Sequence, residues 1–153
     1  MVTIHEGDLL ASNCEVICHQ TNCMGAMGSG IAKAIRATYP EAYHALRDRF
    51  EQGAAAVGEV DFVPTIRNGF LRCVVNCYGE KDYLPRGAVH TNYEALQHCF
   101  DKIKEEFAGK NYTIGFPYKI GCGLAGGDWN IVSKMIEETF AGDEWRVELW
   151  RLS

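Results

Sequence analysis

Thr21-Asn22-Cys23-Met24-Gly25-Ala26-Met27-Gly28-Ser29-Gly30-Ile31 is the stretch on which the reading of this chain turns. It stands between an apolar run, Val16-Ile17-Cys18, and a segment of helical period at 30–39, so it reads as a loop joining a strand to a helix. A second stretch, Gly121-Cys122-Gly123-Leu124-Ala125-Gly126-Gly127, occupies the equivalent place between an expected strand at 113–116 and an expected helix at 128–140. Together the two hold seven of the sixteen glycines. Glycine lets backbone amides come close to a ligand and adopt positive φ. Consecutive N–H groups at a helix N-terminus then make an anion site without any lysine. Two such loops facing each other are suited to clamp a diphosphate. Glycines that only make tight turns are the alternative, and it explains one loop better than it explains two in equivalent positions. Neither loop is GxxxxGK[ST], so no Walker site is indicated; residues 121–126 do have the GxGxxG spacing, which by itself is a weak sign of a dinucleotide site.

Outward from these loops, short apolar runs alternate with helix-period segments. Strands are expected at 2–5, 15–19, 59–63, 70–77, 113–116 and 145–152. Helices are expected at 30–39, 41–52, 91–107 and 128–140. In the first helix Ile31, Ala34, Ile35 and Thr38 make one face, and Pro40 breaks it. The third carries the clearest stripe, Tyr93, Leu96, Phe100, Ile103 and Phe107, with Gly109 just past its end. In the last strand Val147 and Leu149 alternate with Arg146 and Glu148, which predicts one solvated face. This order predicts an α/β fold, a three-layer α/β/α sandwich around a mixed, mostly parallel sheet. In such folds ligands sit beyond the carboxyl ends of the strands. Both glycine-rich loops belong to that edge.

The 153 residues suit one domain spanning 1–153. A composition of 47% hydrophobic and 23% charged residues excludes a disordered tail, a coiled coil and a collagenous repeat. No apolar run approaches the roughly 18 residues of a membrane span. Met1-Val2-Thr3-Ile4-His5-Glu6 carries no basic region followed by an apolar stretch, so no secretory signal is expected. Seven cysteines, an odd number, then fit a reduced, cytoplasmic setting. Their spacings, Cys14-x3-Cys18-x4-Cys23 and Cys73-x3-Cys77, are not those of zinc ligands, and neither metal nor cofactor is expected. A net charge of −5 argues against gripping a nucleic acid by bulk electrostatics. Any nucleotide must be held by backbone amides and helix ends. The composition is compatible with a monomer.

The residues also carry a resemblance. Gly7-Asp8-Leu9 after the first strand, the 21–32 stretch, and Ile120-Gly121-Cys122-Gly123-Leu124 followed by Asp128-Trp129 resemble a macrodomain, in order and over essentially the whole chain. The subgroup they most resemble contains terminal ADP-ribose protein glycohydrolases and the antitoxin macrodomains that reverse DNA ADP-ribosylation. A related branch includes ADP-ribose 1″-phosphate phosphatases. The resemblance implies ADP-ribose, free or on a modified macromolecule, as the partner. It implies that Asp8 accepts a hydrogen bond from the adenine amino group, with the Leu9 amide nearby. Gly25, Met27, Gly28, Ser29, Gly30 and Ile31 would cover the diphosphate and distal ribose. Lys119, Ile120, Gly121, Cys122, Gly123, Leu124 and Ala125 would close the other side. Thr21 and Asn22 would face the distal ribose, Leu152 would pack near the adenosine, and Tyr118 or Tyr78 would border the pocket.

In the glycohydrolase subgroup a lysine after the central strand acts on the distal ribose C1″. Val74-Val75-Asn76-Cys77-Tyr78-Gly79 puts Glu80 at that position and Lys81 one place later. The acidic place used by some members after Gly-Cys-Gly-Leu holds Ala125, and the nearest acid is Asp128. Four catalytic candidates follow. His19, expected at the carboxyl end of its strand, is a general acid or base or else a structural histidine. Glu80 is suited to position a water. Lys81 and Asp128 complete the set, and His90 lies in a loop able to reach the same cleft. Three functions compete: a hydrolase that frees ADP-ribose or its 1″-phosphate, a module that binds without turnover, and a Cys122-dependent hydrolase.

Overall fold

A computed structural model describes residues 1–152 of the chain. The fold is organised around the Val16-Ile17-Cys18 run, whose side chains alternate between two apolar cores. β2 (Val16–Thr21) lies inside a six-stranded sheet of order β1-β6-β5-β2-β4-β3. The other strands are β1 (Val2–Glu6), β3 (Val60–Arg67), β4 (Phe70–Tyr78), β5 (Thr113–Pro117) and β6 (Arg146–Arg151). All neighbouring strands are parallel except β3 and β4. Val16 and Cys18 point to one core with Phe100, Ile103, Phe116 and Ile136. That core lies under α3 (Tyr93–Phe107) and α4 (Trp129–Thr139). Ile17 points to the other, with Ile35 and Leu46, under α1 (Gly30–Thr38) and α2 (Pro40–Glu51). The architecture is the expected three-layer α/β sandwich with a mixed, mostly parallel sheet.

Several boundaries move for physical reasons. β2 continues to Thr21 rather than ending at His19, because His19, Gln20 and Thr21 pair with Asn76, Cys77 and Tyr78 of β4. His19 is therefore an interior strand residue. β3 runs through Pro64 to Arg67. It is an edge strand, where proline's missing N–H leaves no ladder bond unmade. Asn68 and Gly69, both at positive φ, then turn the chain directly into β4. This is the two-residue turn that matches the twist of a hairpin. In α1 the inward side is Ile31, Ile35 and the following Tyr39, while Ala34 and Thr38 are exposed. Isoleucine at i and i+4 outcompetes the small residues for the core. Among the described residues no helix is long and apolar enough to cross a membrane, and no group of three His, Cys, Asp or Glu side chains is placed to hold a metal.

Candidate functional site

The carboxyl ends of β2, β4 and β5 open into a cleft of about 480 Å3. The loop after β2 and the start of α1 form one wall, the loop after β5 forms the other, and Glu80, Tyr83 and Arg86 close the end. Short-range hydrogen bonds set each loop. The Asn22 side chain accepts from the amides of Met24 (3.0 Å) and Ala26 (3.3 Å) and donates to the Ala26 carbonyl (3.0 Å). In the second loop the Gly127 amide donates to the Gly121 carbonyl at 2.9 Å, a distance a side chain at Gly127 would not permit. The loops are tied together through the segment after β4. Cys23 N–H donates to the Lys81 carbonyl, and the amides of His90 and Thr91 donate to the Ala125 carbonyl.

What these bonds leave over defines the site. Among the described residues the amides of Gly28, Ser29, Gly123, Leu124 and Ala125 donate to no protein acceptor. They occupy both walls of the one cleft. Ser29 is the N-cap of α1, yet its side chain makes no capping hydrogen bond, so the helix end adds further donors to the same wall. α3 and α4 differ: Asn92 and Asp128 cap them with their side chains. α2 has no side-chain cap either, but it begins on Pro40, which has no N–H to satisfy. Gly28 and Gly123 have ordinary φ, and a Cβ on either would meet nothing within 4 Å. The fold itself does not require glycine at these two places.

Glu80 is 9% exposed, and its Oε2 is buried without a hydrogen-bond partner. Burial pushes its carboxyl up to about 7; His90 opposes the shift and Asp82 adds to it. Because the folded value exceeds the ordinary 4.5, the folded protein holds this proton more tightly than the unfolded chain does. The resulting stabilisation is complete at pH below that ordinary value and is lost as pH rises through about 7. Glu80→Gln is expected to stabilise the protein by about 1–2 kcal/mol at pH 8 and to leave it nearly unchanged at pH 4, after allowing for screening by water in the cleft. Urea midpoints at the two pH values measure the difference, and a Glu80→Gln protein less stable at pH 8 contradicts it.

The cleft gathers most of the residues singled out in the sequence: Thr21, Asn22, residues 27–31, Glu80, residues 119–121 and residues 123–125, with Tyr118 on the border. The rest lie elsewhere. His19 is fully buried beneath α2, its Nε2 2.7 Å from Asn76 Oδ1, and burial lowers its pKa to about 4. It does not line the cleft, and its Nδ1 is buried without a hydrogen-bond partner. Lys81 is exposed and outside the lining, because neighbouring residues of an extended segment point to opposite sides and Glu80 takes the inner one. Asp128 caps α4, accepting from Asn130 N–H at 2.9 Å. Tyr78 is buried beneath α2 and donates to Asp61 at 2.6 Å.

Gly25 packs under Arg47 and Phe50 with φ +72°, where it shapes the loop. Cys122 turns towards the α3 and α4 core, and burial raises its thiol to about 11, which removes the thiolate that a cysteine nucleophile needs. Asp8, Leu9 and Leu152 are at the same edge of the sheet but outside the cleft lining. Asp8 accepts from Leu10 N–H at 2.9 Å, Leu9 is buried, and Leu152 is exposed. Sequence reasoning missed Gln20, Tyr83 and Arg86. Gln20 was hidden by the shortened β2, and the other two stand in a loop with no periodicity to place them.

Comparison with known proteins now bears on this geometry. The family model described as Macro domain matches residues 18–136, which include both glycine-rich loops and Glu80. The chain belongs to the macrodomain family. A Mycobacterium tuberculosis protein named DNA ADP-ribosyl glycohydrolase is 35% identical over 140 residues, a match covering 92% of this macrodomain and 39% of that protein. The chain thus spans well under half the length of such curated relatives. Among solved structures, the macrodomain of Mycobacterium tuberculosis DarG superposes with a TM-score of 0.82 at 24% identity, covering 99% of this chain and 97% of that one. Thermosipho africanus DarTG in complex with ADP-ribose superposes with a TM-score of 0.77 at 17% identity, covering 95% of this chain and 40% of that one. Both place this macrodomain's fold beside theirs.

Proposed function

We propose that this macrodomain holds ADP-ribose between its two glycine-rich loops and hydrolyses the bond joining the distal ribose to a modified nucleic acid or protein. The observation that carries the reading is the set of unpartnered amides on both walls of one cleft. A diphosphate between those walls receives N–H donors from two directions and the positive end of α1. An acidic chain can bind an anionic ligand in this way without a basic surface. The distal ribose then lies towards Asn22 and Glu80, and the adenosine extends along the sheet edge towards Asp8 and Leu152. A relative named for ADP-ribosyl hydrolysis and a similar fold solved with ADP-ribose support the same ligand.

Titration calorimetry with ADP-ribose tests the binding half. Saturable binding is expected, and Asp8→Ala is expected to weaken it by about 1–3 kcal/mol, the usual cost of losing a partner from a specific polar contact. Absence of any heat with the wild-type chain overturns the reading, and an unchanged affinity in Asp8→Ala removes adenine recognition from that residue. Incubation with ADP-ribosylated DNA, ADP-ribosylated protein and ADP-ribose 1″-phosphate tests the hydrolytic half, with released ADP-ribose as the product measured.

A further inference from the structure

Two buried acceptors on the floor of the cleft have no partner in the protein: Glu80 Oε2 and Gln20 Oε1. Folded proteins rarely leave buried acceptors unpaired, and two on one cleft floor specify a ligand group that donates hydrogen bonds. The orientation of the Gln20 amide is fixed by its neighbours. The Thr91 hydroxyl donates to the Gly121 carbonyl at 2.5 Å, so its oxygen is left to accept. Gln20 Nε2 donates to that oxygen at 3.0 Å, which turns Oε1 to the free end. Two glycines keep this amide in place. A Cβ at Gly121 would lie 3.0 Å from Gln20 Oε1, and a Cβ at Gly79 would collide with the same side chain. Glu80 is held alongside through its backbone bridge to Thr91.

We propose that Glu80 and Gln20 together hold the attacking water, Glu80 as the catalytic base and Gln20 as the second acceptor that aims it. This rests on the reading of the cleft as an ADP-ribose hydrolase site, and it puts a carboxylate where that subgroup of macrodomains is expected to carry a lysine. Both protons of the water are then engaged, one by each acceptor, leaving an oxygen lone pair for the anomeric carbon C1″. As that lone pair forms the new C1″–O bond, one O–H bond breaks and its proton passes to the Glu80 carboxylate. The C1″–X bond breaks with its electron pair going to the leaving group X, and the proton on Glu80 returns to X. One water is consumed, and ADP-ribose and H–X are released. A carboxyl group titrating near neutrality serves both proton transfers. The other titratable and charged groups around it are Lys81, Asp82 and His90 on its own loop, Cys23 on the first loop, and Arg86 and Lys119 lining the cleft. Thr91 acts through Gln20 and is a positioning residue.

The experiment measures turnover of ADP-ribosylated DNA, ADP-ribosylated protein and ADP-ribose 1″-phosphate, beside calorimetry with ADP-ribose. The wild-type chain should release product from at least one substrate, with kcat/KM rising with pH to a plateau above about 7, as the Glu80 carboxyl gives up its proton. Glu80→Gln should lower kcat by about 100- to 10,000-fold and abolish that limb. It should bind ADP-ribose at least as tightly as the wild type. Thr91→Val should lower kcat with little change in KM, and Thr91→Ser should restore it. Lys81→Ala should keep full turnover. A Glu80→Gln protein with more than a tenth of wild-type turnover overturns the proposal, as does Lys81→Ala losing as much as Glu80→Gln was expected to lose. A wild-type chain that binds ADP-ribose but releases it from none of the three substrates also overturns it, while leaving the binding reading standing. A chain that binds no ADP-ribose takes both down.

Discussion

Gly123→Val is expected to fold with an unchanged melting temperature and to bind ADP-ribose at least 100-fold more weakly, a loss of about 2.7 kcal/mol or more. The expectation comes from a contrast among glycines. At Gly127 a Cβ would lie 2.6 Å from the Gly121 carbonyl oxygen, and at Gly25 it would meet Arg47 and Phe50 at a backbone with φ +72°. Side chains there damage the fold, and lost binding would report nothing about a ligand. Gly123 has an ordinary φ and open space where its Cβ would be, as does Gly28 on the facing wall. The valine side chain therefore costs the free protein little. It projects into the cleft beside amides that have no other partner, where it occupies the volume of the phosphates. Gly28→Val should act in the same way from the other wall. Calorimetry paired with thermal unfolding separates the two effects, and a Gly123→Val protein that folds and binds normally refutes the two-walled clamp.

The parts of this fold legible in the sequence were those with strong local physics. The glycine-rich loops declared themselves by composition, and the α3 stripe from Tyr93 to Phe107 by period. The continuous apolar run at 16–18 marked a strand covered on both faces. Residues whose roles depend on distant partners were not legible. His19-Gln20-Thr21 looks like the end of a strand because it is polar, yet pairing with β4 carries the strand through all three. Alternation then sends His19 under α2 and Gln20 to the cleft, a distinction invisible without knowing where β2 stops. The Gln20–Thr91–Gly121 chain joins residues 71 and 30 positions apart, which no local pattern encodes. Asp128 and Asp8, both singled out in the sequence, each hold a nearby backbone amide at 2.9 Å, the commonest local use of an aspartate before a helical turn and one that sequence does not separate from ligand binding.

The same dependence on distant partners makes Asp61, absent from any sequence motif, the site of the largest expected change in stability. Asp61→Ala should cost about 3–5 kcal/mol, the range for removing one member of a buried ion pair. Its side chain is 11% exposed and accepts three hydrogen bonds, from Arg49 Nε at 2.9 Å, Asn76 Nδ2 at 3.1 Å and Tyr78 OH at 2.6 Å. Asn76 in turn contacts the buried His19 ring and donates to the Ala42 carbonyl of α2 at 2.9 Å. One carboxylate thereby ties the edge strand β3 to the end of β4 and to the helix above it. Without it the buried Tyr78 hydroxyl loses its acceptor, and the Arg49 guanidinium loses its paired carboxylate and keeps only the Ala54 and Val60 carbonyls and the more distant Glu59. Tyr78 is the last residue of β4, two before Glu80, so loosening here also loosens the floor of the cleft. Asp61→Asn retains an acceptor without the charge and should cost less. Denaturant unfolding of both variants measures this, and a loss below about 1 kcal/mol for Asp61→Ala would place the aspartate among surface ion pairs. The arrangement separates two uses of buried polarity in one sheet. Under α2 the three groups that donate to Asp61 are paired and serve the fold, whereas at the carboxyl edge Gln20 and Glu80 keep acceptors unpaired for what the cleft receives.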